Sequence, residues 1–254
     1  MNKKTLPFLI LLAVLFTVAY TSCKKADEVK APAESDAYFP LEKGKYVIYN
    51  VDSTIWDDTN CVKIIRRYQT MYTVVDTFTD GKGRMSYRVD VRIRKRATDP
   101  WQQQSVMYAT NTGQELELIY DELHFIKMVY PISENRTWEG NAYIDARDPK
   151  LAYLGGWNYR YINVDQEYDN GAVKYQNTVT VMQIDESRND PEVQPDDNAT
   201  RTYGKEVFAK GIGMVYREFY YWTYDASAKN NNDVNNPERC LKGLGVVMRA
   251  VDHN

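Results

Sequence analysis

The residue pattern predicts an all-β fold: a single antiparallel sheet curled into a barrel or half-barrel, with few or no helices in the mature domain. Three observations predict it. Met85 to Arg96 alternates, with Met85, Tyr87, Val89, Val91 and Ile93 set against Ser86, Arg88, Asp90, Arg92 and Arg94, the period of a strand with one apolar and one polar face. Asp169-Asn170-Gly171 separates two runs of strand-forming residues, and Asn-Gly supplies the positive φ of a tight reversing turn. No long stretch carries a helical period; Arg147 to Tyr153 is the one short candidate.

In chain order, Lys45 to Trp56 is the first strand and Val62 to Thr79 a long or broken second. After Met85–Arg96, Trp101–Thr110 and Glu115–Ile119 flank Asn111-Thr112-Gly113 as a hairpin. Leu123 to Tyr130 follows and stops at Pro131, which cannot donate to a ladder. Trp157–Tyr168 and Val173–Asp185 flank the Asn-Gly turn, and Glu206–Phe208, Gly213–Tyr224 and Leu244–Val251 complete the set. Ser187–Ala199 and Lys229–Pro237 are polar and turn-rich, and read as loops. About ten antiparallel strands curl rather than stay flat, so residues 38–254 form one domain.

The start of the chain is an address. Lys3 and Lys4 precede an apolar run from Leu6 to Tyr20, shorter than the roughly 20 residues of a membrane span. Thr21, Ser22 and Cys23 follow, so residues 1–22 read as a signal peptide. The segment resembles a bacterial lipobox, with Tyr20 where Leu is usual. Lys24-Lys25-Ala26-Asp27-Glu28 resembles the export signal of Bacteroidota surface lipoproteins. The resemblance implies lipidation at Cys23 and an outer-membrane, surface-exposed location; residues 23–37, with no large aromatic, read as a flexible tether.

Three stretches of the folded part resemble a group of Bacteroidota lipoproteins without assigned activity: Tyr38-Phe39-Pro40-Leu41 with Gly44; Tyr130-Pro131-Ile132 with Thr137-Trp138-Glu139-Gly140-Asn141; and Gly211-Ile212-Gly213-Met214-Val215-Tyr216-Arg217-Glu218. Tyr46 stands where Trp is common in that group. The resemblance implies a β-rich fold at the surface or in the periplasm and brings no activity with it.

The chain has 254 residues, a net charge of -3, two His and three Cys. That charge gives no reason to expect nucleic acid, and the scarcity of His and Cys argues against a zinc site of the usual kind. His124 and His253 are isolated, and the sequence has no nucleophile elbow or His-Glu-x-x-His helix. No catalytic residue, metal ligand or cofactor is assigned, and the protein is read as a non-enzyme. Acidic residues between Asp185 and Asp197 supply oxygens of the kind Ca²⁺ takes, in no EF-hand spacing; they read as a surface loop. Arg88, Arg92, Arg94, Lys95 and Arg96, with Arg66 and Arg67 beside them, read as a solvated polar face. Once Cys23 is acylated, Cys61 and Cys240 are left either to pair or to stay as free thiols. A bridge between them is worth about 4–5 kcal/mol on loop-entropy grounds.

Tyr is the outlier in composition, 21 residues against 7 Phe. Trp157, Tyr159 and Tyr161 share one face of a strand, and Tyr220, Trp222 and Tyr224 share one face of another. These six are the candidate binding aromatics, because exposed Tyr and Trp on a rigid sheet make platforms that are apolar in body and polar at the tip. The expected function is a membrane-anchored, ligand-binding β domain that takes a glycan or a peptide. The alternative is a lipid or lipoprotein carrier with a half-barrel cavity.

Overall fold

The computed structural model describes residues 33–227 and 240–254. The signal peptide, Cys23 and the polar run 229–237 lie outside them. Residues 31–254 form a compact unit of their own.

That unit is one twelve-stranded sheet. A short helix α1 (Ala33–Ala37) leads into β1 (Tyr46–Asp57), β2 (Val62–Thr79), β3 (Met85–Arg94), β4 (Gln102–Asn111), β5 (Glu115–Tyr120) and β6 (Leu123–Val129). Then come β7 (Thr137–Glu139), a 3-10 turn at Ala152–Leu154, β8 (Asn158–Asp169), β9 (Lys174–Arg188), β10 (Ala199–Ala209), β11 (Gly213–Tyr224) and β12 (Leu241–His253). The spatial order is β6-β5-β4-β3-β2-β1-β12-β11-β10-β9-β8-β7. The first and last strands pair at its middle, and two antiparallel meanders run outward from them. Their free edges, β6 and β7, are consecutive in the chain, which brings them back together and nearly closes the barrel.

Backbone and side-chain hydrogen bonds staple this seam. Ile126 N–H donates to Gly140 O at 2.8 Å, and Trp138 Nε1 donates to Ile126 O at 2.9 Å. The Tyr161 hydroxyl accepts from Val129 N at 2.9 Å and donates to Val129 O at 3.0 Å. An edge strand presents unpaired backbone groups; here a phenol and an indole satisfy them.

The interior explains the tyrosine excess. Twelve strands enclose more space than aliphatic side chains span. Long rings fill it, and their hydroxyls reach backbone or amide oxygens of nearby segments. Tyr49 donates to Met214 O (2.9 Å) and Tyr159 to Asn141 Oδ1 (2.9 Å).

The N-terminal segment closes one end of the barrel. Ser35 is fully buried, the Tyr130 hydroxyl donates to Ser35 O, Gly211 N–H donates to Ala37 O, and Phe39 packs on Phe208. The expected tether therefore ends earlier than residue 37, because Ala33–Ala37 is helical and docked. Gly211 (φ 79°) and Gly213 (φ 107°) both take the left-handed conformation in the β10–β11 turn, which favours Gly at both places.

Three elements differ from expectation. Arg147–Tyr153 is mostly turns, with 3-10 geometry only at Ala152–Leu154. β10 starts at Ala199 rather than Glu206, because Thr200 to Lys205 pair on both sides despite their polarity. β7 is a three-residue strand carried by Trp138, too short to show a period.

Candidate functional site: a charged chamber inside the barrel

Direct cross-strand partners share a face. One inward row runs across seven strands: Tyr161, Val181, Glu206, Arg217, Met248, Val51 and Tyr68. It places two charges opposite each other inside the barrel. A third arrives by a bulge. Glu117 pairs with Ile126 and Leu116 with Met128, so Lys127 is the extra residue of β6. Bulges re-aim side chains, and this one turns Lys127 inward, where only 3% of it is exposed.

Lys127 Nζ donates to Glu206 Oε1 at 2.7 Å, and Arg217 Nε stands 3.7 Å from the same oxygen. Arg217 also donates to the Tyr120 hydroxyl at 3.5 Å. Glu206 Oε2 and Arg217 Nε are buried without a hydrogen-bond partner. The cluster holds two cations and one carboxylate. Burying each ion costs several kcal/mol, which good geometry must offset. Burial opposes the charge on Arg217, while Tyr120 and Glu206 favour it, and the balance lifts its pKa above the ordinary value. Burial raises the pKa of Tyr72 beside it, against the pull of Arg217, and its hydroxyl donates to Met248 Sδ at 3.9 Å.

The cluster lines a run of cavities. The largest, about 170 Å³, is bounded by Arg217, Tyr68, Tyr72, Tyr120 and Met107, with Gln104, Ser105 and Asp121 at its mouth. A second, about 40 Å³, continues past Lys127 and Glu206 to Phe39 and Met214. Tyr72 and Met107 border both. The mouth lies at the end of the barrel opposite the N-terminal plug, since Asp121 sits in the β5–β6 turn and β4 runs from Gln102 at the mouth to Asn111, which donates to Asp36.

The candidate aromatics are placed differently from expectation. Trp157, Tyr159 and Tyr161 are 3%, 1% and 0% exposed. They are core and seam residues whose polar tips are used internally: Trp157 Nε1 donates to Tyr153 O. Tyr224 is also buried, its hydroxyl held by Pro195 O of the Ser187–Ala199 loop. Tyr220 and Trp222 stay partly exposed on the outer face. Tyr220 stacks on Tyr203 at 5.1 Å, and Trp222 walls an open groove of about 610 Å³ with Pro191, Glu192 and Pro195. The six do not form one site.

A second polar cluster lies outside the barrel. Arg84 binds both oxygens of Glu117, at 2.6 and 3.0 Å, and His124 Nε2 lies 2.9 Å from Glu117 Oε2. Burial opposes ionisation of Glu117, but Arg84 and His124 outweigh it and hold the carboxyl below its ordinary range. Asp80 binds Arg84 from the other side. The charges here answer one another, and the cluster ties the β2–β3 turn to β5. Among the described residues, no three His, Cys, Asp or Glu side chains are placed to hold a metal ion.

The basic run splits between faces. Arg88 and Arg92 flank Asp90, and Arg94 binds Gln69 and covers Trp101. Arg67 pairs with Asp52 on the outer face. Arg66, opposite Ser53, points to the inner face instead. Cys61 and Cys240 have Cα atoms 5.2 Å apart and form a disulfide, joining the β1–β2 turn to the start of β12.

Lys127, Glu206 and Arg217 were not singled out by sequence reasoning. Their signal was present: each is a charge inside an apolar strand, in Phe125-Ile126-Lys127-Met128, Glu206-Val207-Phe208 and Tyr216-Arg217-Glu218-Phe219. No known protein family, curated protein or solved structure matches the chain.

Proposed function

We propose that the protein is a non-enzymatic, lipid-anchored binding protein of the outer membrane whose barrel takes the acidic group of a ligand at Arg217. The observation that carries this reading is Arg217, whose Nε has no hydrogen-bond partner and whose side chain lines the chamber, in a cluster of two cations and one carboxylate. A buried donor without an acceptor costs about 1–3 kcal/mol; a carboxylate in the chamber supplies the acceptor and balances the charge. Tyr72, Tyr120 and Lys127 are further donors within the same walls. The reading moves away from a glycan platform, because four of the six aromatics that supported one are buried. The export-like run after Cys23 supports the anchored location. The plug at the N-terminal end supports a mouth that faces away from the membrane.

Calorimetric titration of residues 31–254 with butyrate tests it. Saturable binding that Arg217→Met abolishes is the expected result; no binding, or equal binding by the variant, overturns it. A second reading, a glycan or peptide in the outer groove, is favoured by Trp222 over Pro191 and Pro195. A glycan and peptide array probed with wild type and Trp222→Ala checks that reading, which fails if the two bind alike.

A further inference from the structure

The chamber, at about 170 Å³, is close in size to a cavity of about 150 Å³ that accepts benzene. It is smaller than the ~300–1,000 Å³ of ordinary ligand pockets. It holds a head group, and the rest of a larger ligand must lie elsewhere.

The inner face continues beyond the mouth. Val51, Tyr68 and Val246 line the chamber. Strand side chains repeat on a face every second residue, and no register shift interrupts β1, β2 and β12 beyond these positions. The next inward row is therefore Arg66, Ser53, Val246 and Phe219, and the one after it Ile64, Ile55, Leu244 and Tyr221. In this outer row Ile64, Ile55 and Leu244 are 38%, 36% and 45% exposed. The three strands stand above the mouth as a lip whose outermost inner row is apolar. The Cys61–Cys240 disulfide crosses its tip, and Tyr221, stacked on Tyr153 at 5.0 Å, continues the surface sideways. From Arg217 to this row is four strand residues, roughly 13 Å at ~3.3 Å per residue. Arg66 lies on the same face between them, a second cation on the way in.

We infer that the ligand is an acidic amphiphile, with its acid group at Arg217 and its apolar part laid along Ile55, Ile64 and Leu244. This rests on the chamber reading and adds the ligand's class. The lip's continuity with the chamber wall and the cations below it select this occupant. A neutral apolar ligand would leave Arg217 Nε without a hydrogen-bond acceptor, and a short acid would leave the lip uncovered.

The test compares butyrate with decanoate on residues 31–254, for wild type and the double variant Ile55→Ser/Ile64→Ser. Both changes are at exposed positions and leave the barrel interior intact. Decanoate is expected to bind at least about tenfold tighter than butyrate, the equivalent of burying about two methylenes. The double variant is expected to lose most of that advantage and keep the butyrate affinity. If butyrate binds and decanoate gains nothing, or the gain survives in the variant, the inference fails while the chamber reading stands. If neither acid binds, the chamber reading fails and takes this inference with it.

Discussion

Replacing Tyr161 by Phe removes one oxygen atom from the barrel seam. That oxygen accepts from Val129 N and donates to Val129 O, so its loss strands a donor and an acceptor on edge strand β6. Leaving a buried group unsatisfied costs about 1–3 kcal/mol. Val129 is only partly buried, so water takes up some of the loss, and the lower end applies to each group. The expected cost is about 2 kcal/mol, or roughly 4–8 °C in Tm for a domain of this size. Urea unfolding measures the global change. Amide exchange measures the local one: the Val129 amide is expected to exchange about 30-fold faster, the factor equivalent to 2 kcal/mol. Tyr175→Phe, which loses a single bond to Ala250 O, is the control and costs about 1 kcal/mol. If Tyr161→Phe leaves both the urea midpoint and the Val129 exchange rate unchanged, the phenol does not hold the seam and the closure described here is wrong.

Four further outcomes follow from the same contacts. Gly140→Ala places a methyl group against the Tyr159 ring; overpacking at the seam costs about 1–3 kcal/mol, read by thermal unfolding. The Glu117 carboxyl is held below its ordinary pKa, so its stabilising effect is full above about pH 4.3, the unfolded value, and is lost as pH falls through the folded value. Glu117→Gln is therefore less stable than wild type at pH 7, and urea midpoints taken down to pH 3 should show the gap narrowing. Cys61→Ser/Cys240→Ser is expected to cost about 2–5 kcal/mol and to weaken decanoate binding more than butyrate binding. Arg217→Met keeps the Lys127–Glu206 pair and removes a buried cation, so stability should hold or rise by about 1 kcal/mol, while binding is lost; a fall of several kcal/mol would make Arg217 a structural residue.

The sheet was legible where one face is solvated. β3 alternates cleanly because its outer face carries Arg88, Asp90, Arg92 and Arg94, and the Asn170-Gly171 turn announced the β8–β9 hairpin. β10 was legible only in part, since Thr200 to Lys205 take strand geometry from two neighbours rather than from their own pattern. The candidate site was misread for a related reason. An aromatic on a strand carries no mark of which side of the barrel it faces. Trp157, Tyr159 and Tyr161 share a face as expected, but that face is the packed seam. The polar tips that suggested a binding platform serve instead to satisfy backbone groups inside. Arg217 illustrates the converse: parity alone makes its neighbours Tyr216 and Glu218 partners on the outer face, where they hydrogen-bond, and leaves Arg217 pointing inward. A charge at inward parity between aromatic residues was the signal to follow.

In the proposed binding mode the Arg217 guanidinium receives an anion. Nitrogen-15 NMR of the Arg217 Nε–Hε group during titration with butyrate reads this contact, because that donor has no hydrogen-bond partner in the free protein. A saturable shift of this resonance is expected with butyrate and none with butanol. A resonance that stays still through tens of millimolar butyrate would contradict it.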